Sequence, residues 1–89
     1  MNFQTRIKDH YKRKGYTVLN VIGLSANGYP DLLAIKKGVS IWIESKEATD
    51  TLKPLQKLRI KQLIDDGFEA GALQAGKGLI FGNLKEIIR

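Results

Sequence analysis

The chain has 89 residues and no cysteine, with 15 Lys and Arg against 9 Asp and Glu, for a formal charge of +6. That length fits one domain, residues 1–89, burying only about 60% of its unfolded surface, so a homodimer is expected to supply part of the stability. The composition excludes a disulfide framework and a thiolate metal site, and the basic balance points to an anionic partner, nucleic acid first. No stretch approaches the ~18 apolar residues of a membrane span, and residues 1–14 carry no apolar signal core, so a cytoplasmic protein is expected.

In chain order, Asn2 is placed to cap a helix that runs to about residue 14 and stops at Gly15. Phe3, Ile7 and Tyr11 give it one apolar face. Residues 16–22, YTVLNVI, are β-branched and aromatic and predict a strand. Residues 25–28 predict a loop, 31–36 a second strand, Lys37-Gly38 a tight turn and 39–46 a third strand, so the last two form a hairpin. Ile41-Trp42-Ile43 is apolar on both faces, as in a strand covered on both sides. A polar loop, 47–53, leads to Pro54 at the first turn of a helix that ends near residue 66, before Gly67. Residues 68–74 predict a strand, Gly76 to Gly78 a turn, and 79–81 a short strand. Asn83 is expected to cap a last helix carrying Leu84, Ile87 and Ile88. The predicted class is α/β: a mixed sheet flanked by helices, in the order α-β-β-β-α-β-β-α. The strand reached through the middle helix should lie parallel to its neighbour.

The hairpin carries Asp31 at the start of one strand and Glu44 and Lys46 near the end of the other. Glu44 and Lys46 share a face because side chains alternate along a strand. A turn at Lys37-Gly38 sets Asp31 near Glu44, which gathers two carboxylates and an ammonium. Neighbouring carboxylates repel unless a cation compensates, and Mg²⁺ prefers oxygen ligands, the backbone carbonyl of Ser45 among them. A lysine beside such a site can offset charge building on a phosphate, so the set suits phosphodiester hydrolysis. The competing reading is an ordinary surface ion pair. Gln56 falls within the apolar arc of the second helix, Leu55, Ile60, Leu63 and Ile64; it either reaches the carboxylates or bonds to backbone at the arc's edge. Gln4, beside the apolar face of the first helix, points to the same cleft or is simply exposed. His10, the one histidine, has no Ser or Cys partner arrangement and is placed near phosphate. Lys53, Lys57 and Lys61 either track a nucleic-acid backbone or form a solvated helix face.

Gly28-Tyr29-Pro30-Asp31, Glu44-Ser45-Lys46 and Gln56, in this order and on these elements, resemble the VRR-NUC family. That family is the virus-type replication-repair nuclease domain of the PD-(D/E)XK superfamily, here in its small stand-alone phage and bacterial form. The likeness runs from the first helix through Gly67 to the strand beyond. It implies a restriction-endonuclease-like fold, Mg²⁺ or Mn²⁺ on Asp31 and Glu44, a catalytic Lys46 and Gln56 in the active site. It further implies a homodimer that cuts branched DNA such as Holliday junctions. Where the family's first helix carries a metal-binding Glu, this chain has Gln4, which weakens the negative charge of the site and puts metal affinity in question. The alternative function is a non-catalytic DNA-binding module that keeps the fold. A third is an interaction protein whose charged cluster is an ion-pair network.

Overall fold

The computed structural model describes residues 2–21 and 27–89. The predicted strand end at Ile22, and Ser25 and Ala26 of the predicted loop, lie outside the described residues. Helix α1 is Phe3–Arg13; the Asn2 side chain accepts from the Thr5 N–H at 2.8 Å, satisfying one of the free donors of its first turn. Phe3, Ile7 and Tyr11 are its buried residues. Strand β1, Thr17–Asn20, is an edge strand, mostly exposed. Strands β2, Leu32–Lys36, and β3, Val39–Lys46, form the hairpin, with Lys37 and Gly38 both at positive φ (48° and 79°), the conformation that matches a two-residue turn to strand twist. Helix α2 is Pro54–Asp65, followed by β4, Glu69–Gln74, and β5, Gly78–Gly82.

The five strands pair in chain order, all antiparallel except β3 with β4, which are parallel across the α2 connection, as expected from the hairpin–helix–strand sequence. Each sheet face carries its own core. On one, Phe3, Ile7 and Tyr11 of α1 pack on Leu32, Ala34, Ile41, Ile43 and Leu73. On the other, Ile60 and Leu63 of α2 pack on Ala70 and Ala72, with Trp42 beside them. β3 is thus covered on both faces, which explains its unbroken apolar middle.

Two expectations need correction. The last helix does not form: residues 83–89 run without helical structure. Asn83 exchanges hydrogen bonds with Ala70, its N–H to the carbonyl (2.9 Å) and its Oδ1 from the amide (2.8 Å), so it extends sheet pairing instead of capping. Leu84 is then drawn into the α1 core, and His10 and Lys14 hold Glu86 against α1. The buried arc of α2 also shifts: Leu55 is 41% exposed, and Leu52, just before the helix, fills the core in its place.

Candidate active site

Pairing across the hairpin runs Leu32 to Ile43 and Leu33 to Trp42. One step further sets Asp31 opposite Glu44, at the end of β3 away from the turn. Pro30 ahead of Asp31 is fully buried, and the Asp31 carbonyl accepts from the Val21 N–H at 2.8 Å, so the backbone that presents the carboxylate is anchored.

Glu44, Ser45 and Lys46 are consecutive on β3, so they point to alternate faces. Glu44 and Lys46 turn toward α2, and their side chains form an ion pair at 3.5 Å. Both are buried, at 6% and 9% exposure, which separates this pair from a solvated surface bridge. Ser45 turns the other way. Its N–H and Oγ donate to Asp31 Oδ1 and Oδ2 at 3.1 and 2.9 Å.

The two glutamines complete the arrangement from opposite layers. On α2, Gln56 Oε1 accepts from the Lys53 N–H at 2.9 Å, which turns Nε2 toward Glu44 Oε2 at 3.3 Å. On α1, Gln4 Nε2 donates to Asp31 Oδ2 at 2.7 Å, and Gln4 Oε1 accepts from Asn20 Nδ2 at 3.3 Å. Burial, then the charge of Asp31, push the Glu44 carboxyl up to about 7, against the opposing pull of Lys46.

A crowded carboxylate that holds its proton to neutrality beside a second acid is a place where a hard cation fits. Among the described residues no cluster of three or more His, Cys, Asp or Glu side chains gathers. A cation held here would draw on Asp31, Glu44 and the Ser45 carbonyl, a set within the range of Mg²⁺, which takes one or two carboxylates and completes its shell with water and phosphate.

No protein-family model matches the sequence, and no curated protein matches it. Solved structures do match. A solved VRR_NUC domain superposes with a TM-score of 0.68 at 22% identity, over 78% of this chain and 76% of that one. The chain has the VRR_NUC fold. A Holliday junction resolvase, Hjc of the archaeal hyperthermophile Archaeoglobus fulgidus, matches with a TM-score of 0.62 at 16% identity, over 86% of this chain and 70% of that one. The restriction-endonuclease-like architecture expected from the sequence is therefore present.

On this VRR_NUC fold, Gln4, Asp31, Glu44, Ser45, Lys46 and Gln56 come together. His10 does not join them: its Nε2 lies 2.8 Å from Glu86 Oε1, on the flank of α1 facing the C-terminal segment. Lys14 and then His10 bond to the Glu86 carboxyl and hold it below the usual carboxylate range. Lys53 and Lys57 are exposed at the start of α2, close in sequence to Gln56. Three participants escaped the sequence reading. Asn20 bonds to Gln4, and the Ser45 hydroxyl bonds to Asp31. Gln74, beside Lys46 in the β3–β4 register, is 5% exposed and donates to the carbonyls of Glu47, Ala48 and Asp50, tying down the loop that follows Lys46. A polar residue closing an apolar strand was the available signal for Gln74; nothing local marks Asn20.

Proposed function

We propose that the protein is a divalent-metal-dependent DNA endonuclease that acts as a homodimer on branched DNA, four-way junctions in particular. The observation that carries this reading is the buried Glu44–Lys46 pair, set opposite Asp31 at one end of a sheet whose fold is that of a VRR_NUC domain. The Hjc likeness and the charge of +6 support DNA as the substrate, and two sites related by a two-fold axis suit two strands of a junction.

Asp31, Glu44 and the Ser45 carbonyl would hold Mg²⁺ or Mn²⁺. When bound, such an ion supplies Lewis-acid stabilisation of charge on the scissile phosphate and favours ionisation of the attacking water. Gln56 and Lys46 hold Glu44 in place from two directions. Lys46, confined at the same spot, offsets negative charge that builds on the phosphate oxygens, and a buried ammonium does so more strongly than a hydrated one. Gln74 keeps the loop after Lys46 fixed, so the ammonium is held against a backbone that does not drift. Lys53 and Lys57, at the mouth of α2, steer the phosphate backbone.

The deciding experiment is cleavage of a labelled four-way junction, beside linear duplex and single strand, in Mg²⁺, Mn²⁺ or EDTA. Metal-dependent cutting of the junction by wild type, abolished in Lys46→Ala and Glu44→Ala with DNA binding retained, is the expected result. A folded protein that binds DNA and cuts none of these substrates would instead establish a second reading, a non-catalytic DNA-binding module. The observation on that side is the neutral Gln4 against Asp31, where a third carboxylate would strengthen cation binding.

A further inference from the structure

Gln4 can serve the site in two opposite ways. Its carbonyl oxygen could face a cation, or its amide N–H could face a carboxylate, and the two require opposite orientations of one side chain. The neighbours of Gln4 decide between them. Lys8 Nζ, which has only hydrogens to offer, lies 2.9 Å from Asn20 Oδ1. Asn20 must then turn its Nδ2 the other way, and that atom meets Gln4 Oε1 at 3.3 Å. With Oε1 taken, Gln4 presents Nε2, which lies 2.7 Å from Asp31 Oδ2 and 3.4 Å from Ser45 Oγ. The chain runs from a group that only donates to the Asp31 carboxyl, whose oxygens also accept from Ser45 N and Oγ. Reversing both amides would set Nδ2 against the Lys8 ammonium and Oε1 against the Asp31 carboxylate, so one polarity satisfies every link.

We propose that Gln4 is a positioning residue that holds Asp31 by donation and is not a cation ligand, and that Asn20 and Lys8 set its orientation. The proposal rests on the reading of Asp31 as an active-site carboxylate. Asp31 accepts from Ser45 N, Ser45 Oγ and Gln4 Nε2. A carboxylate has about four lone-pair directions, so about one is left, on Oδ1, and Asp31 would have a single oxygen to offer a cation. Lys8 and Asn20 lie on α1 and on the exposed end of β1, outside both cores, so substitutions there leave the fold intact.

The test is side-chain amide NMR of the ¹⁵N-labelled, metal-free protein. In wild type, one Gln4 Nε2 proton should lie downfield of the free-amide position and be protected from solvent exchange. Lys8→Arg, still a donor, should keep that signal. Asn20→Asp, which cannot donate to Gln4, and Lys8→Glu, which reverses the polarity of the chain, should each turn the Gln4 amide from Asp31 toward residue 20 and move that signal. A free Gln4 amide in wild type, or a displaced one that neither variant moves, overturns the proposal. In cleavage assays Asn20→Asp should lower kcat about tenfold with KM unchanged, the lower end of the range for residues behind a ligand; a change confined to KM would also overturn it. The amide signals need neither metal nor turnover. Absence of cleavage in wild type would therefore count against the nuclease reading alone, while the amide signals decide the role of Gln4.

Discussion

Glu44 is the residue on which burial and charge compete most visibly. Unfolded, it loses its proton near 4.5, whereas in the fold it holds the proton to about 7. Between these values the native state binds more protons than the unfolded one. The stability it contributes is complete below about 4.5 and is lost as pH rises through about 7. In metal-free protein, urea midpoints should fall across that window, and Glu44→Gln, neutral at every pH, should flatten the fall. An equal slope in both proteins would show that Glu44 is ionised throughout. Lys46→Met removes the one cation that opposes the shift, so the pH at which divalent cation binds, followed by calorimetry, should move upward. These effects were only half legible in the sequence. Alternation along β3 puts Glu44 and Lys46 on one face, but that the face lies under α2, and not in water, depends on Leu52, Ile60 and Leu63 closing over the sheet. Asn20 could not be found at all, since its partner Gln4 is sixteen residues away and on a different element.

At the scale of elements, local signals sufficed wherever the chain carries its own instruction. Asn2 caps α1, the Lys37-Gly38 pair turns the hairpin, and Pro54 opens α2. They failed at the C-terminus, where Asn83 has a side chain suited to a helix cap but is captured by Ala70 across the sheet. A helix of so few residues gains little by itself, whereas burying Leu84 at 4% exposure in the α1 core gains a good deal. Leu84→Ala should therefore cost about 2–4 kcal/mol in urea denaturation. Ile87→Ala, in the same segment at 44% exposure, should change stability by less than about 0.5 kcal/mol. Equal effects would mean that the segment does not pack as described. The exposure of Leu55 has a similar origin: periodicity identifies an apolar arc, but the centre of that arc is chosen by the sheet beneath, and Leu52 outside the helix takes the remaining space.

Taken whole, the described residues form a mixed sheet with α1 on one face and α2 on the other, and the charge of the molecule works over longer distances than any single contact. Binding to DNA should weaken steeply with salt, because neutralised phosphates release counterions. Lys53→Ala and Lys57→Ala should each reduce the slope of log affinity against log salt by about 1, measured by fluorescence anisotropy on a junction, with little change in preference among DNA shapes. A slope unaltered in both variants would move the phosphate track elsewhere on the surface.

The separate tethering of the two acids has a mechanical consequence. Asp31 is gripped by Gln4 from the α1 layer, and Glu44 by Gln56 from the α2 layer, so the gap between the carboxylates gauges how the layers sit across the sheet. Chemistry should then respond to packing defects well before the fold gives way. Ile7→Val and Ile60→Val, each removing one methylene from a fully buried position in opposite cores, should slow turnover by more than their small loss of stability would suggest. Combined, the two should compound in rate while remaining additive in stability, as expected of a caliper whose jaws are loosened from both sides.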